Sequence, residues 1–329
     1  MNSLEIMDIQ LSIITSKNLM NKKIILMVGG SGMVGRNLLD HPEINRFNLL
    51  APNSKELDLT DFSATESYIK KIRPEMIIHA AGKVGGIQAN LREPVSFLLE
   101  NLDIGRNLIW ASFKAEVKQL INLGSSCMYP RNHFDALREE QILQGELESS
   151  NEGYALAKIV TAKLCDYISR ENATYQYKTL IPCNIYGPHD KFDPAHSHLL
   201  PAIIHKVHQA KERGAGSVEI WGDGLARREF MYAGDLANAI ISAIDNFETL
   251  PSYMNVGLGK DFSINEYYQA ASDVMGYSGK FIHNLSKPVG MARKLVNVEK
   301  QTKWGWSPQT DLRSGLKKTY EYYLRKNTA

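Results

Sequence analysis

The chain has few cysteines and no long apolar run, and each of these shortages excludes a class of protein. Its three cysteines, Cys127, Cys165 and Cys183, lie far apart among 329 residues and form no CxxC pair. This usage is typical of a reducing compartment and not of a disulfide scaffold, so we expect a cytoplasmic protein. No apolar stretch approaches the roughly 18 residues that a membrane-spanning helix needs.

An excess of charge of one sign is also missing. The formal net charge is +2, and the charged residues, 22% of the chain, mix both signs along its length. We therefore expect no general nucleic-acid or membrane surface, and any site for an anion must be local. Residues 1–22 lack the basic start, the long apolar core and the cleavage site of a signal peptide, and we interpret them as an N-terminal extension.

The order of apolar runs predicts a Rossmann-type α/β fold. Short apolar runs alternate with helical patterns, which indicates βαβ units in a doubly wound parallel sheet. The predicted strands cover 24–28, 47–51, 76–80, 119–123 and 177–181, and the predicted helices cover 34–39, 61–72, 94–115 and 154–170. Beyond Pro182 we predict helices at 199–211, 234–247, 263–275 and 312–326, and short strands at 217–221 and 228–232.

This pattern also suggests how the chain is divided. We assign residues 23–181 to a dinucleotide-binding domain, to which residues 222–250 return. Residues 182–221 and 251–329 then form a smaller, mostly C-terminal α/β lobe for the substrate. The loop-rich sequence after the fifth strand, punctuated by Pro188, Pro194 and Pro201, marks the transition.

A glycine-rich loop follows the first predicted strand and opens the first helix. Its pattern Gly29-x-x-Gly32-x-x-Gly35 permits a tight turn and a close approach of a pyrophosphate to the backbone. The strand before it and the helix after it are the context that this motif requires. The residues of the loop that we assign to a cofactor are Gly29, Ser31, Gly32, Met33, Val34 and Gly35.

The end of the second strand favours NADP(H) over NAD. Asn53, Ser54 and Lys55 stand where an acidic residue would hold the ribose hydroxyls of NAD, and they suit a 2′-phosphate better. The alternative is that Lys55 is merely solvated and NAD binds through other groups. We place Asp58 at the adenine end. The remaining residues assigned to the cofactor follow later strands: Ala80, Ala81, Pro182, Asn184 and Ile185.

A Tyr-x-x-x-Lys pair, Tyr154 and Lys158, says most about the chemistry. Residues four apart share one face of a helix, where the ammonium favours the phenolate and lowers the pKa of the tyrosine. Ser125, at the end of the fourth strand, is our candidate for holding a carbonyl against the phenol; its alternative role is to cap a loop. Together the three side chains equip a site for reducing a ketone with a nicotinamide cofactor.

Cys127 and His198 leave two readings open. A thiol and an imidazole beside a polarised ketone form a base and an acid for the carbons next to it, because the enolate is delocalised onto the carbonyl oxygen. Alternatively, Cys127 is a small buried residue and His198 an ordinary loop histidine. The cluster of His189, His196 and His198 does not have the spacing of a known metal motif, so we predict no metal site.

Taken together, these motifs resemble the GDP-L-fucose synthases, which are NADP(H)-dependent epimerase/reductases of the extended short-chain dehydrogenase/reductase group. The resemblance runs from about Lys23 nearly to the C-terminus. Its most distinctive parts are Lys83-Val-Gly-Gly-Ile87 and the Tyr186-Gly-Pro-His-Asp-x-Phe192 loop. The other matching stretches are 124–130, 154–158, 197–201, 221–224, 228–230 and 286–288.

The resemblance implies a two-stage reaction. Cys127 as base and His198 as acid would epimerise C3 and C5 of GDP-4-keto-6-deoxy-D-mannose, and Ser125, Tyr154 and Lys158 would serve the reduction at C4 that gives GDP-L-fucose. It also implies a homodimer. The residues that it places at the sugar nucleotide are Asn184, His198, Leu199, Lys206, Trp221, Arg228 and Lys287.

Several positions depart from the family pattern. Lys206 stands where relatives often carry arginine, and Ser31 and Ser54 replace arginines near the cofactor phosphate. Residues 289–297 differ as well, which leaves a 6-deoxy-heptose open as the sugar. The alternative functions are a 4-reductase, with or without epimerase activity, a 4-epimerase or dehydratase for another nucleotide sugar, and a catalytically silent dinucleotide-binding sensor.

Overall fold

The computed structural model describes residues 22–131, 133, 135–193, 197–287 and 291–328, so nearly all of the predicted N-terminal extension lies outside the described residues. The strands are β1 Ile24–Val28, β2 Asn48–Leu50, β3 Met76–His79, β4 Gln119–Leu123, β5 Gln176–Pro182, β6 Asn184–Tyr186, β7 Ser217–Trp221, β8 Arg227–Arg228, β9 Phe230–Tyr232, β10 Tyr253–Val256, β11 Phe262–Ser263, β12 Lys280–Asn284 and β13 Arg293–Lys294. The α-helices are α1 Met33–Leu39, α2 Phe62–Ile72, α3 Ile87–Arg92, α4 Pro94–Lys114, α5 Glu152–Glu171, α6 Leu199–Glu212, α7 Ala233–Asp245, α8 Ile264–Met275, α9 Glu299–Trp304 and α10 Leu312–Thr328.

Six parallel strands form the central sheet, in the order β10-β5-β4-β3-β1-β2. The strand order reverses between β1 and β3, since the chain runs outward from β1 to β2 and then crosses back. In sheets of this kind a crevice for ligands opens at the carboxyl ends of the strands at that point. The predicted Rossmann-type doubly wound sheet is confirmed.

The sheet is buried on both faces. Along β1, Leu26 and Val28 pack with residues of α2, α4 and α5, whereas Ile25 and Met27 pack with residues of α1 and α7. Successive side chains of a strand point to opposite faces, so a fully apolar run is what a sheet between two helical layers requires. This explains why the short apolar runs located the strands well.

A second hydrophobic core lies in the later part of the chain. It is formed by side chains of α6, α8 and α10, including Val207, Tyr267 and Leu316, and by Val218 and Ile220 of β7. The parallel pair β7 and β12 and the small sheet β11-β8-β13 belong to this region. Within the described residues, no helix is long and apolar enough to cross a membrane.

The division into domains stays a prediction, and the structure adds two details to it. Helix α7 contributes to the core of the central sheet, in keeping with the return of residues 222–250. Strand β10, which falls in the range assigned to the substrate lobe, also pairs with β5 at the edge of that sheet. The strand predicted over 228–232 is divided at Glu229 into β8 and β9.

Candidate active site

The glycine-rich loop lies between the ends of β1 and β3, at the point where the strand order reverses. Gly29 has a φ of 87°, and a Cβ there would lie 2.5 Å from the backbone of Ala80. A Cβ on Gly35 would lie 2.3 Å from the carbonyl oxygen of Gly29. At Gly32 the nearest atom to an added Cβ, the Gly29 oxygen, is 3.4 Å away, so this side of the turn is open. The loop is thus a tight cradle of bare backbone, and it fits a dinucleotide pyrophosphate.

The turn after β2 is exposed and is held by its own side chains. Asn53 Oδ1 accepts a hydrogen bond from the backbone N–H of Lys55 (2.9 Å), and the carboxylate of Glu56 accepts one from the N–H of Asn53 (2.8 Å). Sequence reasoning overlooked Glu56, the acidic residue nearest this strand end. Asp58 Oδ1 accepts from the N–H and the hydroxyl of Thr60, which lowers the pKa of Asp58. Ser54 and Lys55 remain exposed.

Ser125 and Tyr154 meet at the end of β4. The hydroxyl of Ser125 accepts a hydrogen bond from the N–H of Cys127 (3.2 Å), capping a short 3₁₀ turn over Ser126–Met128. The same side chain is hydrogen-bonded to the phenol of Tyr154. Ser125 therefore caps the turn, and the cap fixes its hydroxyl next to the phenol; its role in holding a carbonyl stays a prediction.

The electrostatics of Tyr154 and Lys158 differ from the expected arrangement. The pKa of Tyr154 is raised, first by burial and then by Cys127, and the hydrogen bond with Ser125 offsets this only in part. Lys158 is buried and donates to the carbonyl oxygen of Leu123 (3.0 Å). Burial lowers the pKa of Lys158 to about 8. The expected lowering of the tyrosine pKa is thus wrong for this structure, because burial dominates and the ammonium is turned to a backbone oxygen.

Cys127 lies close to this pair and has two polar neighbours that sequence reasoning did not identify. Asn151 Nδ2 lies 3.1 Å from the sulfur, and Lys294 Nζ lies 3.5 Å from it. The thiol is half-buried, whereas Cys165 and Cys183 are buried. The reading of Cys127 as merely a small buried residue is less favoured by this arrangement, because two donors converge on its sulfur.

His198 stands at the start of α6, where its carbonyl oxygen accepts from the N–H of Ala202 (3.1 Å). Solvent reaches the residue, yet its pKa is lowered, first by burial of the ring among neighbouring groups and then by Lys191 and Lys294. His189 is elsewhere, with Nε2 2.7 Å from Asp40 Oδ2 and Nδ1 3.1 Å from the hydroxyl of Tyr322. His196 lies outside the described residues. Among the described residues, no group of three or more His, Cys, Asp or Glu side chains is placed to hold a metal ion.

Trp221 is flanked by two lysines. Lys206 Nζ lies 5.2 Å and Lys287 Nζ 5.4 Å from the centroid of its ring, and the indole N–H donates to Glu219 (3.0 Å). The indole is 44% exposed. Two ammonium groups beside an exposed aromatic face are suited to a nucleotide diphosphate.

Two other residues predicted to bind the sugar nucleotide, Asn184 and Arg228, donate hydrogen bonds to backbone carbonyl oxygens. Asn184 Nδ2 donates to the carbonyl oxygen of Glu229 (3.0 Å), which ties β6 to the segment after β8. The guanidinium of Arg228 is half-buried and donates to the carbonyl oxygen of Arg227 (2.8 Å). Ile185 is buried in the first core, and Leu199 is packed against the second. The side chain of Ile185 therefore serves the core, whereas that of Leu199 is only partly buried.

Comparison with known proteins decides the family. Residues 25–257 match the model of the NAD dependent epimerase/dehydratase family. The chain is 52% identical over 302 residues to a GDP-L-colitose synthase of Yersinia pseudotuberculosis (92% of this chain, 98% of the relative). It is 50% identical over 305 residues to a GDP-L-fucose synthase of Azorhizobium caulinodans (93% and 97%).

The chain belongs to the GDP-L-fucose synthase family of the epimerase/dehydratases.

Membership confirms the resemblance and the prediction of an enzyme. A solved GDP-mannoheptose C4 reductase of Campylobacter jejuni, with NADP bound, superposes with a TM-score of 0.83 at 31% identity, covering 92% of this chain and 98% of that one. At the level of the family, the prediction of NADP(H) as cofactor is confirmed as well. The assignment of individual residues to roles stays a prediction, which the distances above support.

Proposed function

We propose that this member of the family uses NADPH to reduce the C4 ketone of a GDP-4-keto-6-deoxy-sugar after epimerising C3 and C5, with GDP-4-keto-6-deoxy-D-mannose as substrate and GDP-L-fucose as product. The observation that carries the proposal is the meeting of two sets of groups at one end of the sheet: Ser125 with Tyr154 and Lys158 for reduction, and Cys127 beside them for proton removal.

The reduction needs a proton donor at the ketone oxygen. When bound, NADPH supplies the hydride to C4. The raised pKa of Tyr154 keeps the phenol protonated at neutral pH, which is the form that gives its proton to the oxygen. Ser125 holds that oxygen against the phenol. To Lys158, whose ammonium donates to the carbonyl oxygen of Leu123 in this structure, we assign the stabilisation of the phenolate once the proton has left. The site is therefore prepared for reduction.

Epimerisation uses the same polarised ketone. The Cys127 thiolate takes the proton from the carbon next to the carbonyl, and the electron pair of that C–H bond moves to the carbonyl oxygen as an enolate. His198, as imidazolium, returns a proton to the opposite face of the carbon, which leaves a thiol and a neutral imidazole. The lowered pKa of His198 makes its imidazolium a stronger acid. It also means that the ring is protonated only at a lower pH than an ordinary histidine.

Binding of the cofactor and of the sugar nucleotide is assigned to opposite parts of the cleft. We assign the pyrophosphate of NADPH to the cradle of Gly29, Gly32 and Gly35, and its 2′-phosphate to Ser54 and Lys55. We assign the GDP diphosphate to the ammonium groups around Trp221 and to Arg228. An anionic diphosphate is stabilised there by charge-assisted hydrogen bonds.

The test is to follow NADPH absorbance with purified enzyme and GDP-4-keto-6-deoxy-D-mannose, and to identify the product by mass spectrometry and NMR. Oxidation of NADPH coupled to formation of GDP-L-fucose supports the proposal. NADPH that binds but is not oxidised with this sugar would contradict it. Tyr154→Phe is the matched control, since it leaves the fold and the binding surfaces in place.

A second candidate is reduction of a related sugar such as a GDP-4-keto-6-deoxy-heptose. It is favoured by the similarity to the GDP-mannoheptose C4 reductase and by the sequence departures at 289–297, of which 289–290 lie outside the described residues. The same assay with the heptose substrate distinguishes the two, because the sugar with the larger kcat/KM is the substrate.

We also propose that the enzyme is a cytoplasmic homodimer. Exposed apolar side chains line neighbouring helices: Val95 (67% exposed) and Leu99 (50%) on α4, and Leu156 (38%) and Val160 (47%) on α5. Residues four apart share a helix face, so these four form an apolar surface that suits a second copy of the chain. Light scattering should give twice the mass of the chain, and Val160→Glu should give the monomer. A monomeric parent enzyme would contradict the proposal.

A further inference from the structure

The sulfur of Cys127 is approached by two donors from separate parts of the chain. Asn151 Nδ2, 3.1 Å away, comes from the residue just before α5, and Lys294 Nζ, 3.5 Å away, comes from β13. The N–H of Cys127 is itself held by Ser125. The position of the sulfur is therefore set from three sides.

The position of Lys294 is built by the fold and is not that of a free surface side chain. Strand β13 pairs with β8, so Lys294 lies opposite Arg228. The carbonyl oxygen of Lys294 accepts from the N–H of Glu229 (3.2 Å), and that of Leu295 accepts from the N–H of Leu137 (2.9 Å). The backbone is thus fixed at Lys294 and at the residue after it, and the ammonium reaches the thiol on a half-buried side chain.

The partner of the neighbouring cation, Arg293, shows that the contact of Lys294 with Cys127 is specific. Arg293 forms an ion pair with Asp261, with its Nε 2.5 Å from the carboxylate. Side chains of adjacent strand residues point to opposite faces, so Arg293 and Lys294 serve different partners. In the part of the chain that the structure describes, no carboxylate forms an ion pair with Lys294. Its charge is therefore not neutralised by an acidic side chain there, and it acts on the sulfur of Cys127.

We propose that Lys294 and Asn151 are positioning residues that hold the Cys127 sulfur as an oriented thiolate, Lys294 by its charge and Asn151 by its hydrogen bond. A thiolate and not a thiol is the base, and a nearby ammonium favours it. This inference rests on the proposed function, in which Cys127 removes the proton. It deepens that function by explaining how the base is ready before the substrate binds.

Lys294 also couples the base to the acid. It is one of the two cations that lower the pKa of His198, after the effect of burial. Lys294 from β13 contacts the sulfur of Cys127, and Cys127 in turn raises the pKa of Tyr154 on α5.

The test measures alkylation of Cys127 by iodoacetamide as a function of pH, with NADPH and sugar absent, and follows the modified peptide by mass spectrometry. We expect Lys294→Met to slow alkylation at pH 7 about tenfold, because the ammonium 3.5 Å from the sulfur favours the reactive thiolate. Lys294→Arg should follow the parent enzyme. Lys317→Met, the same change at an exposed lysine of α10, is the matched control. An unchanged profile in Lys294→Met would overturn the proposal.

A second measurement separates this inference from the proposed function. Asn151→Ala should slow alkylation less than Lys294→Met, because it removes a hydrogen bond and no charge, and it serves if Lys294→Met does not fold. NADPH binding reports whether each variant is folded. If Lys294→Met is alkylated more slowly but the parent enzyme exchanges no deuterium into any sugar, the positioning role stands and the epimerase function is contradicted. Normal deuterium exchange in the parent enzyme, with unchanged alkylation in Lys294→Met, would support the epimerase function and contradict the positioning role.

Discussion

The ammonium of Lys294 lies 3.5 Å from the sulfur of Cys127, although 167 positions separate the two residues in the sequence. The contact depends on β13 being held against β8, and on Glu229, whose carboxylate accepts the backbone N–H groups of Gly259 and Val296 at 2.8 Å each. A buried glutamate thus fixes the strand that carries the lysine. The chemistry at the end of β4 therefore depends on a segment near the C-terminus.

Replacing Glu229 should destabilise the enzyme. Glu229→Ala removes the acceptor of the buried N–H of Val296 and of the partly buried N–H of Gly259, and each unsatisfied group costs about 1–3 kcal/mol. We expect a loss of about 3 kcal/mol or more in the free energy of unfolding, measured by denaturant titration, together with slower alkylation of Cys127. Glu219→Ala, on the exposed face of β7, is the control and should change stability little. A loss below about 1 kcal/mol in Glu229→Ala would contradict this account.

Removing the phenol of Tyr154 should abolish reduction while sparing the cofactor. Tyr154→Phe keeps the ring and loses the proton donor, so kcat for NADPH oxidation should fall by about 10²–10⁴. The Kd for NADPH, measured by fluorescence titration, should change less than about threefold, because none of the contacts assigned to the pyrophosphate is altered. Activity within tenfold of the parent enzyme would show that another group donates the proton.

The pH dependence should report Lys158. Its pKa is lowered to about 8 by burial, so its charge is present below that pH and lost above it. We expect kcat/KM for reduction, which reflects the free enzyme, to fall as the pH rises through about 8. Tyr154 remains protonated over this range, so the fall cannot come from the phenol. A profile that stays flat well above this pH would be inconsistent with a catalytic charge on Lys158.

The lysines beside Trp221 should act on binding and not on the chemical step. Lys206→Met and Lys287→Met should each raise KM for the GDP-sugar about tenfold with little change in kcat, because a charge-assisted hydrogen bond to a phosphate contributes about 1.5 kcal/mol or more. Lys303→Met, at an exposed lysine paired with Glu299 on α9, is the control. An equal drop in kcat for either variant would place the lysine at the reacting centre instead.

Much of this arrangement could be predicted because its signals are local. The strands β1, β4 and β7 have the predicted bounds, since mainly apolar or alternating runs mark them directly. The glycine loop and the Tyr154–Lys158 pair depend on spacing within one element. What the sequence did not reveal are pairings: β13 has two residues and β10 has four, too few for a periodic pattern, and only tertiary contacts create them.

The same reasoning explains the errors at the site. Lys294 and Asn151 carry no motif, and only the paths of β13 and of the residue before α5 bring them to Cys127. The pKa of Tyr154 was expected to fall because helical spacing sets Lys158 on its face. Burial is not readable from spacing, and it raises the pKa instead. Of the two, Asn151 had the stronger sequence signal, because it lies three residues before Tyr154 and in the position that caps α5.

The most direct test of the central claim is a reaction in deuterated water, with NADPH and GDP-4-keto-6-deoxy-D-mannose, followed by NMR of the product. We expect GDP-L-fucose labelled at C3 and C5 from the parent enzyme. From Cys127→Ser we expect a reduced sugar without label, because the base is lost while Ser125, Tyr154 and Lys158 remain. Reduction by the parent enzyme without label at either carbon would contradict the account and leave a simple 4-reductase.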